Sequence, residues 1–332
     1  MSQDKPLYFS LITPTFGRPD EVAEFLESLL AQRYPHFEVI VSDGTPGDTL
    51  RPLIQHYTHN SIYPLTILYT EYIAVSPARN AAAAMARGDY LIFLDSDCII
   101  PPDYLTKLAD YLTKNPDIDL FGGPDLAAAG FTPLQKAINF SMTSFLTTGG
   151  IRGGKHTIGT YLPRGFNMGV KRSVFQAVDG YSDFVCAEDI ELSIRILKAG
   201  YRSAYIPQAG VYHKRRTTLT KFFTQVFRFG AARLLLNQRH PGNLKLTHLF
   251  PLIFTTGLLF SLILLPLTEW LLILYVIYFS LVMIFSTLTN ESAKIGLLTV
   301  LTTLVMMAGY AYGMARNGIE IYLKGHPKGI KL

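Results

Sequence analysis

At 332 residues the chain has room for one large domain with an appendage, or for two modest domains. Its two cysteines, Cys98 and Cys186, exclude a disulfide framework and are too few for a zinc site, in keeping with a reducing compartment. The net charge of +5 is mild, and the basic residues gather beside apolar segments instead of forming a surface for nucleic acid.

The opening "MSQDKPLYFS" lacks an apolar core behind a basic start, so no signal peptide is read and everything before Leu249 is expected to stay in the cytoplasm. "YFSLITPTF" reads as a strand, and "PDEVAEFLESLLAQ" as a helix with Val22, Phe25, Leu26, Leu29 and Leu30 on one stripe. "FEVIVSDG" is a strand apolar on both faces, and "LTILYTE" is another. "SPARNAAAAMARG" predicts a helix with Ser76 as N-cap, Pro77 in the first turn and Gly88 as its stop. The strand in "GDYLIFLDSDC" follows, then a helix in "PPDYLTKLADYLTKNP". This β-α-β-α order predicts an α/β domain with a mainly parallel sheet covered by helices.

In such sheets ligands bind beyond the carboxyl ends of the strands. Thr13 and Thr15, Asp43, and Asp95 with Asp97 all fall at such ends. On an extended chain Asp95 and Asp97 would project to the same side, where two carboxylates repel unless a cation lies between them. Mg²⁺ favours oxygen ligands of that kind and leaves room for phosphates. Asp and Ser are also turn formers, so an isolated Asp-Ser-Asp reads as a solvated turn as well. There is no Walker-type loop and no strand-linked Gly-x-Gly-x-x-Gly, which leaves a nucleotide held through a carboxylate-bound metal.

"EDIELSIRILKAG" is an amphipathic helix whose first turn carries Glu188 and Asp189; acidic residues there also simply suit the helix dipole. "LTKFFTQVFRFGAARLLL" interleaves aromatic with basic residues, the composition of a helix lying in a membrane interface, and Leu134 to Thr148 is a weaker case; ordinary packing against the sheet is the equal alternative for both. Lys214, Arg215 and Arg216 suit either a diphosphate or anionic lipid headgroups, with lipid the preferred reading. Three apolar segments are long enough to span a bilayer: Leu249 to Leu267, Trp270 to Leu288, and Ile295 to Ala315. The flanking Lys and Arg residues mark the cytoplasmic side, yet three crossings would leave the basic tail, with Arg316, Lys324, Lys328 and Lys331, outside. Either one segment is re-entrant or the tail tolerates that side.

Taken together, "ITPTFGRP", "VIVSDGTPGDT", "SPARNAAAAMARGDYLIFLDSDC", "RGFNMGVKRSVFQAVDGY", "AEDIELSIRILKAGY" and "QVFRF" resemble, in order, a family 2 glycosyltransferase of the GT-A nucleotide-diphospho-sugar transferase fold. The run through "HPGNLKLTHLFP" is similar to membrane-attached transferases of exopolysaccharide (succinoglycan-type) assembly. The resemblance implies that Asp95 and Asp97 form a DxD element for a divalent metal, Mg²⁺ or Mn²⁺, and the donor diphosphate. His213 would complete the metal shell. It places Asp43 at the uridine, with Thr13, Thr15 and Arg79 beside it, makes Asp189 the catalytic base, and sets Glu188 among the substrate-binding residues. Gln225 and Arg228 match a Q-x-x-R-W element toward the acceptor, with Phe229 in place of Trp.

The function implied is an inverting, metal-dependent hexosyltransferase at the inner face of the membrane, moving a sugar from a UDP-sugar to a lipid-linked or polysaccharide acceptor. The domains implied are a catalytic domain over 1–215, interfacial helices over 216–248, about three spans over 249–315 and a basic tail over 316–332. A processive polysaccharide synthase and a catalytically inactive nucleotide-binding membrane module are the competing classes. Against them stand the few spans and Phe229 in the first case, and the intact Asp95, Asp97 and Asp189 in the second. None of these motifs specifies an oligomeric state.

Overall fold

The computed structural model describes residues 5–47, 50–60, 62–70, 74–128, 130–149, 161–184 and 186–325. The chain divides into two compact units, Met1–Ala128 with Thr157–Lys214, and Ala129–His156 with Arg215–Leu332. The second unit thus takes in Ala129–His156 as well as the C-terminal stretch from Arg215.

In the first unit β1 (Phe9–Thr15), α1 (Pro19–Leu30), β2 (Phe37–Asp43), α2 (Arg51–Asn60), β3 (Leu65–Tyr69), α3 (Val75–Met85) and β4 (Tyr90–Leu94) alternate. After β4 come β5 (Cys98–Ile99), α4 (Tyr104–Lys114), β6 (Leu120–Gly122) and β7 (Asp125–Leu126). The second unit's α5 (Pro133–Thr143) and α6 (Phe145–Thr148) intervene before β8 (Asn167–Lys171), α7 (Arg172–Ala177), α8 (Glu188–Lys198), β9 (Ser203–Tyr205) and β10 (Val211–His213). The main sheet has the order β3-β2-β1-β4-β8-β6-β9, and a small sheet has the order β5-β10-β7. In the main sheet β8 runs antiparallel to both neighbours, and the other pairs are parallel.

Strand β4 is buried along its whole length, which a central strand of Tyr, Leu, Ile and Phe requires. Tyr90, Ile92 and Leu94 enter one apolar cluster, with Phe25, Leu29 and Leu108, while Leu91 and Phe93 enter the other, with Ala82, Val174 and Leu192. Helices thus cover both faces, as the element order predicts. Helix α3 begins at Val75 with Ala74 at the cap, so Ser76 does not cap it; its hydroxyl instead donates to the Phe184 carbonyl at 3.2 Å. The helix starts two residues earlier than the polar signal places it, and it buries Ala78, Ala82 and Ala83.

The second unit is helical among its described residues: α5, α6, α9 (Leu219–Arg239), α10 (Leu246–Ile263), α11 (Trp270–Asn290) and α12 (Ala293–Gly318), continued by a π-turn over Ile319–Leu323. Three of its helices are long and apolar enough to cross a membrane, Leu246–Ile263, Trp270–Asn290 and Ala293–Leu323. The stretch from Leu134 to Thr148 is two helices, because Ser144 at ψ 143° ends α5 and caps α6. Ile138 and Met142 of α5 pack with Phe222, Val226, Met306 and Met307, which explains why this segment joins the C-terminal helices. Lys328 and Lys331 lie outside the described residues.

Candidate functional site

Parallel register brings Thr15 opposite Asp43, and Asp43 opposite Tyr69, at the carboxyl ends of β1, β2 and β3. Asp43 is 2% exposed, and its Oδ1 accepts from the Thr45 N–H at 2.8 Å, the local turn that Asp favours. The hydroxyls of Thr13, Thr15 and Ser42 are buried with no hydrogen-bond partner among the described residues. Buried polar atoms are ordinarily paired, so this strand end is suited to donors and acceptors from a ligand.

Strand β4 stops at Leu94, and Asp95 to Asp97 form a turn closed by the Cys98 N–H donating to the Asp95 carbonyl at 3.1 Å. The extended geometry expected for this pair is therefore corrected: the turn preference of Asp-Ser-Asp prevails once the strand leaves the sheet, and the two carboxylates take different partners. Asp95 Oδ1 accepts from Arg79 Nη2 at 2.8 Å. Asp97 Oδ2 accepts from Arg18 Nη1 at 3.4 Å, and its Oδ1 lies 3.3 Å from His213 Nε2.

His213 reaches Asp97 because β10 pairs with β5 in the register His213↔Cys98. Its ring stacks on Phe166 with centroids 4.7 Å apart, and its Nδ1 lies 3.5 Å from Asp125 Oδ1. Burial pulls the imidazole down, but hydrogen bonds with Asp125 and Asp97 outweigh it and push the group up to about 9. A proton held between two carboxylates marks a position where a cation is favoured. Adjacent ligands of an octahedral Mg²⁺ stand about 3 Å apart, close to the 3.3 Å between Asp97 Oδ1 and His213 Nε2. Asp97 and His213 thus form a candidate donor set for a divalent cation, with Asp95 in the same turn. Cys98 Sγ lies within the same cluster, but burial first, then the Asp97, Asp95 and Asp125 carboxylates, push its thiol well up, so it remains a neutral group.

Arg79 is 2% exposed and binds outward from α3 in three directions: to Asp95, to Glu188 Oε1 at 2.8 Å through Nη1, and to the Gly165 carbonyl at 3.3 Å. Its guanidinium also lies over the Tyr181 ring, 5.3 Å from the centroid. Burial raises Glu188 to about 7; Arg79 opposes this and the neighbouring Asp189 adds to it. Asp189 Oδ2 accepts from the Gly165 N–H and Oδ1 from the Ile190 N–H, at 2.8 and 2.7 Å. Both acidic residues follow Ala187, whose φ of 64° is a left-handed conformation that a residue with a Cβ seldom adopts. The first turn of α8 is thus held by its surroundings, not by a cap side chain.

Sequence reasoning passed over three residues here, Asp125, Arg18 and Phe166. The visible signals were "GGPD", a turn that delivers an Asp after a strand, and the basic residue in "FGRPD" after β1. Gln225 and Arg228 belong to the other unit, on α9, where their spacing of three places them on one helical side, Gln225 half-buried and Arg228 exposed. Two of the residues assigned to lipid headgroups have other partners. Lys214 Nζ pairs with Glu24 at 2.7 Å, and Arg215, 4% exposed, donates to Asn139 Oδ1. Partners for a buried charge are set by tertiary packing, which a basic run cannot reveal.

The family model described as Glycosyl transferase family 2 matches residues 10–178. The succinoglycan biosynthesis protein ExoA of Rhizobium meliloti is 26% identical over 246 residues, 73% of this chain and 74% of that protein. A dolichyl N-acetyl-alpha-D-glucosaminyl phosphate 3-beta-D-2,3-diacetamido-2,3-dideoxy-beta-D-glucuronosyltransferase of Methanococcus voltae is 22% identical over 282 residues, 81% of this chain and 84% of that one. Among solved structures, a mannosyltransferase of Pyrobaculum calidifontis in complex with GDP-Man and Mn²⁺ superposes with a TM-score of 0.62 at 17% identity, covering 97% of this chain and 89% of that chain. That likeness is one of fold, and it agrees with the expected GT-A architecture.

Proposed function

The chain belongs to glycosyl transferase family 2, and on that ground we propose that it is an inverting, metal-dependent hexosyltransferase that moves a sugar from a UDP-sugar to a lipid-linked or polysaccharide acceptor at the inner face of a membrane. The observation that carries this reading is the buried Arg79, which ties the Asp95 turn to Glu188, next to Asp189. One guanidinium thereby couples the donor side of the site to the proposed base.

Thr13, Thr15 and Asp43 contact the nucleoside end of the donor, which meets the buried hydroxyls at that strand end. Asp97 and His213, with Asp95, hold the divalent cation, whose chemistry is to stabilise the departing diphosphate as a Lewis acid. Asp189 receives the proton of the acceptor hydroxyl as general base. Its two backbone N–H donors fix the carboxylate in place, so orientation costs little at the moment of reaction. Attack from the side opposite the diphosphate inverts the anomeric carbon and needs no covalent nucleophile. Arg79 positions Asp95 and Glu188; Gln225 and Arg228 serve the acceptor.

The lipid-linked acceptor rests on the apolar C-terminal helices together with relatives named for succinoglycan biosynthesis and for a dolichyl phosphate-linked substrate. The soluble residues 1–215 act on the cytoplasmic side, joined through the segment 216–248. The test is a panel of radiolabelled UDP- and GDP-sugars incubated with purified protein and a membrane lipid extract, with and without chelator. Label should enter the lipid phase from a UDP-sugar and require a divalent cation. Transfer only from GDP-sugars, or transfer indifferent to chelation, would refute the donor or the metal assignment.

A further inference from the structure

The packing of α12 bears on how many times the chain crosses the bilayer. Helices α10 and α11 form a hairpin in register: Tyr275 donates to the Phe254 carbonyl at 3.0 Å, and Phe254 packs on Tyr278 and Phe279. With the connection at 264–269, the base of this hairpin comprises the start of α10 and the end of α11, and its tip carries Glu269 and Trp270.

A third helix running alongside would start at the base and finish at the tip. Helix α12 does not. At its beginning, Gly296 sits against Thr287 and Met283, and Thr299 Oγ1 lies 2.7 Å from Ser286 Oγ, all toward the end of α11. At its middle, Met306 and Met307 share a cluster with Phe254. At its far end, Met314, with Ile321 in the following turn and Leu234 of α9, forms a cluster against which Leu249 and Leu252 of α10 and Leu244 just before it pack. From Gly296 to Ile321 the rise is about 37 Å, enough for a bilayer, yet both ends meet the hairpin's base.

Its flanks agree. Ser141 Oγ of α5 bonds Thr302 and Thr303 hydroxyls at 2.7 and 3.0 Å, and α5 is itself fastened to the chain's entry into this unit by Gln135 Nε2 donating to the Arg215 carbonyl at 2.9 Å. The second half of α12 lies on α9, with Gly313 against the Phe227 carbonyl and Asn317 Nδ2 donating to the Ala231 carbonyl at 2.7 Å. Half of the apolar window of α12 (50%) is buried inside the protein, against 11% for each hairpin helix.

On the reading that these helices enter a membrane, we propose that the chain crosses it twice: α10 and α11 traverse as a hairpin, and α12 lies transversely across the hairpin's base in the near leaflet. The tail after Leu323 then emerges on the side where the chain enters at Arg215. The exposed stripe Leu297, Leu301 and Tyr312 of α12, with Ile319 in the following turn, faces acyl chains, and Lys294, Arg316 and Lys324 reach the near headgroups. All the flanking basic charge is thereby on one side, with Glu269 alone at the tip, as the positive-inside tendency requires.

The test uses the full-length chain with Glu269→Cys or Lys324→Cys, expressed in bacterial cells and treated with a membrane-impermeant maleimide before and after permeabilisation, the unsubstituted chain serving as blank for Cys98 and Cys186. The membrane fraction is isolated first; protein found only in the soluble fraction would overturn membrane attachment itself, separately from topology. Glu269→Cys should label in intact cells and Lys324→Cys only after permeabilisation. Labelling of Lys324→Cys in intact cells would mean that α12 crosses, and silence of Glu269→Cys until permeabilisation would mean that the hairpin does not; either overturns the proposal. Fusions after Leu332 give an independent reading, a fluorescent GFP and an inactive alkaline phosphatase being expected, and the reverse pair contradicting it.

Discussion

The Arg79 guanidinium and the Glu188 carboxylate meet at 2.8 Å with both groups largely withdrawn from water. A buried pair that loses one partner leaves the other charge uncompensated, typically at about 3–5 kcal/mol. Arg79→Leu is expected to lower the thermal transition of the detergent-solubilised protein by at least several degrees, and Arg79→Lys to recover only part, since an ammonium cannot reach Asp95, Glu188 and the Gly165 carbonyl in one plane. An unchanged transition for Arg79→Leu would remove Arg79 from its tying role.

Glu188 supplies a pH dependence. Its folded-state value near 7 lies above the ordinary 4.5, so between these pH values the folded protein holds a proton that the unfolded chain releases. Stability from this group is complete below about pH 4.5 and is lost as pH rises through 7, a difference of roughly 3 kcal/mol. Glu188→Gln should flatten the fall in melting temperature over that window. An identical slope in both proteins would show that Glu188 titrates normally.

Asp189→Asn retains one acceptor oxygen toward the Gly165 or Ile190 N–H but cannot take a proton. General-base assistance is worth about 10² to 10⁴ in rate. Transfer should fall by at least about a hundredfold, while UDP affinity changes by less than about threefold, near 0.6 kcal/mol. Retained transfer would leave Asp189 a helix-start residue.

Asp97→Asn exchanges an anionic donor for a neutral amide beside His213. Mg²⁺ or Mn²⁺ should then enhance UDP binding about tenfold less than in the parent chain, the loss of one charged ligand of a hard cation costing on the order of 1.4 kcal/mol. Calorimetric titration with and without metal measures this directly. Equal metal enhancement in both proteins would exclude Asp97 from the cation site.

Helices α9 and α12 approach so closely that a Cβ on Gly230 would stand 2.0 Å from the Tyr310 carbonyl oxygen. Gly230→Ala should force the pair apart at a cost of about 1–3 kcal/mol, read as a lower melting temperature in detergent. A substitution at Gly242, whose Cβ would meet nothing within 4 Å but whose φ is 86°, separates backbone strain from this crowding. Equal losses at both positions would argue against close packing as the cause.

Periodicity alone determined the alternating α/β unit, the apolar stripe of α1 and the fully buried β4, because these rest on local hydrogen bonding and on one-dimensional hydrophobic pattern. The apolar lengths of α10, α11 and α12 were legible for the same reason. What the tertiary structure decided were the partners. Asp125 approaches His213 through the parallel pairing of β7 with β10, and Arg79 joins Asp95 to Glu188, the latter more than a hundred residues along the chain from Arg79. Neither contact has a sequence period, since buried charges find their counter-charges through long-range register. The number of apolar helices likewise does not contain their direction: whether α12 runs along the hairpin or across its base depends on glycines and hydroxyls that let α9, α5 and α11 close upon it, and only three-dimensional packing sets that geometry.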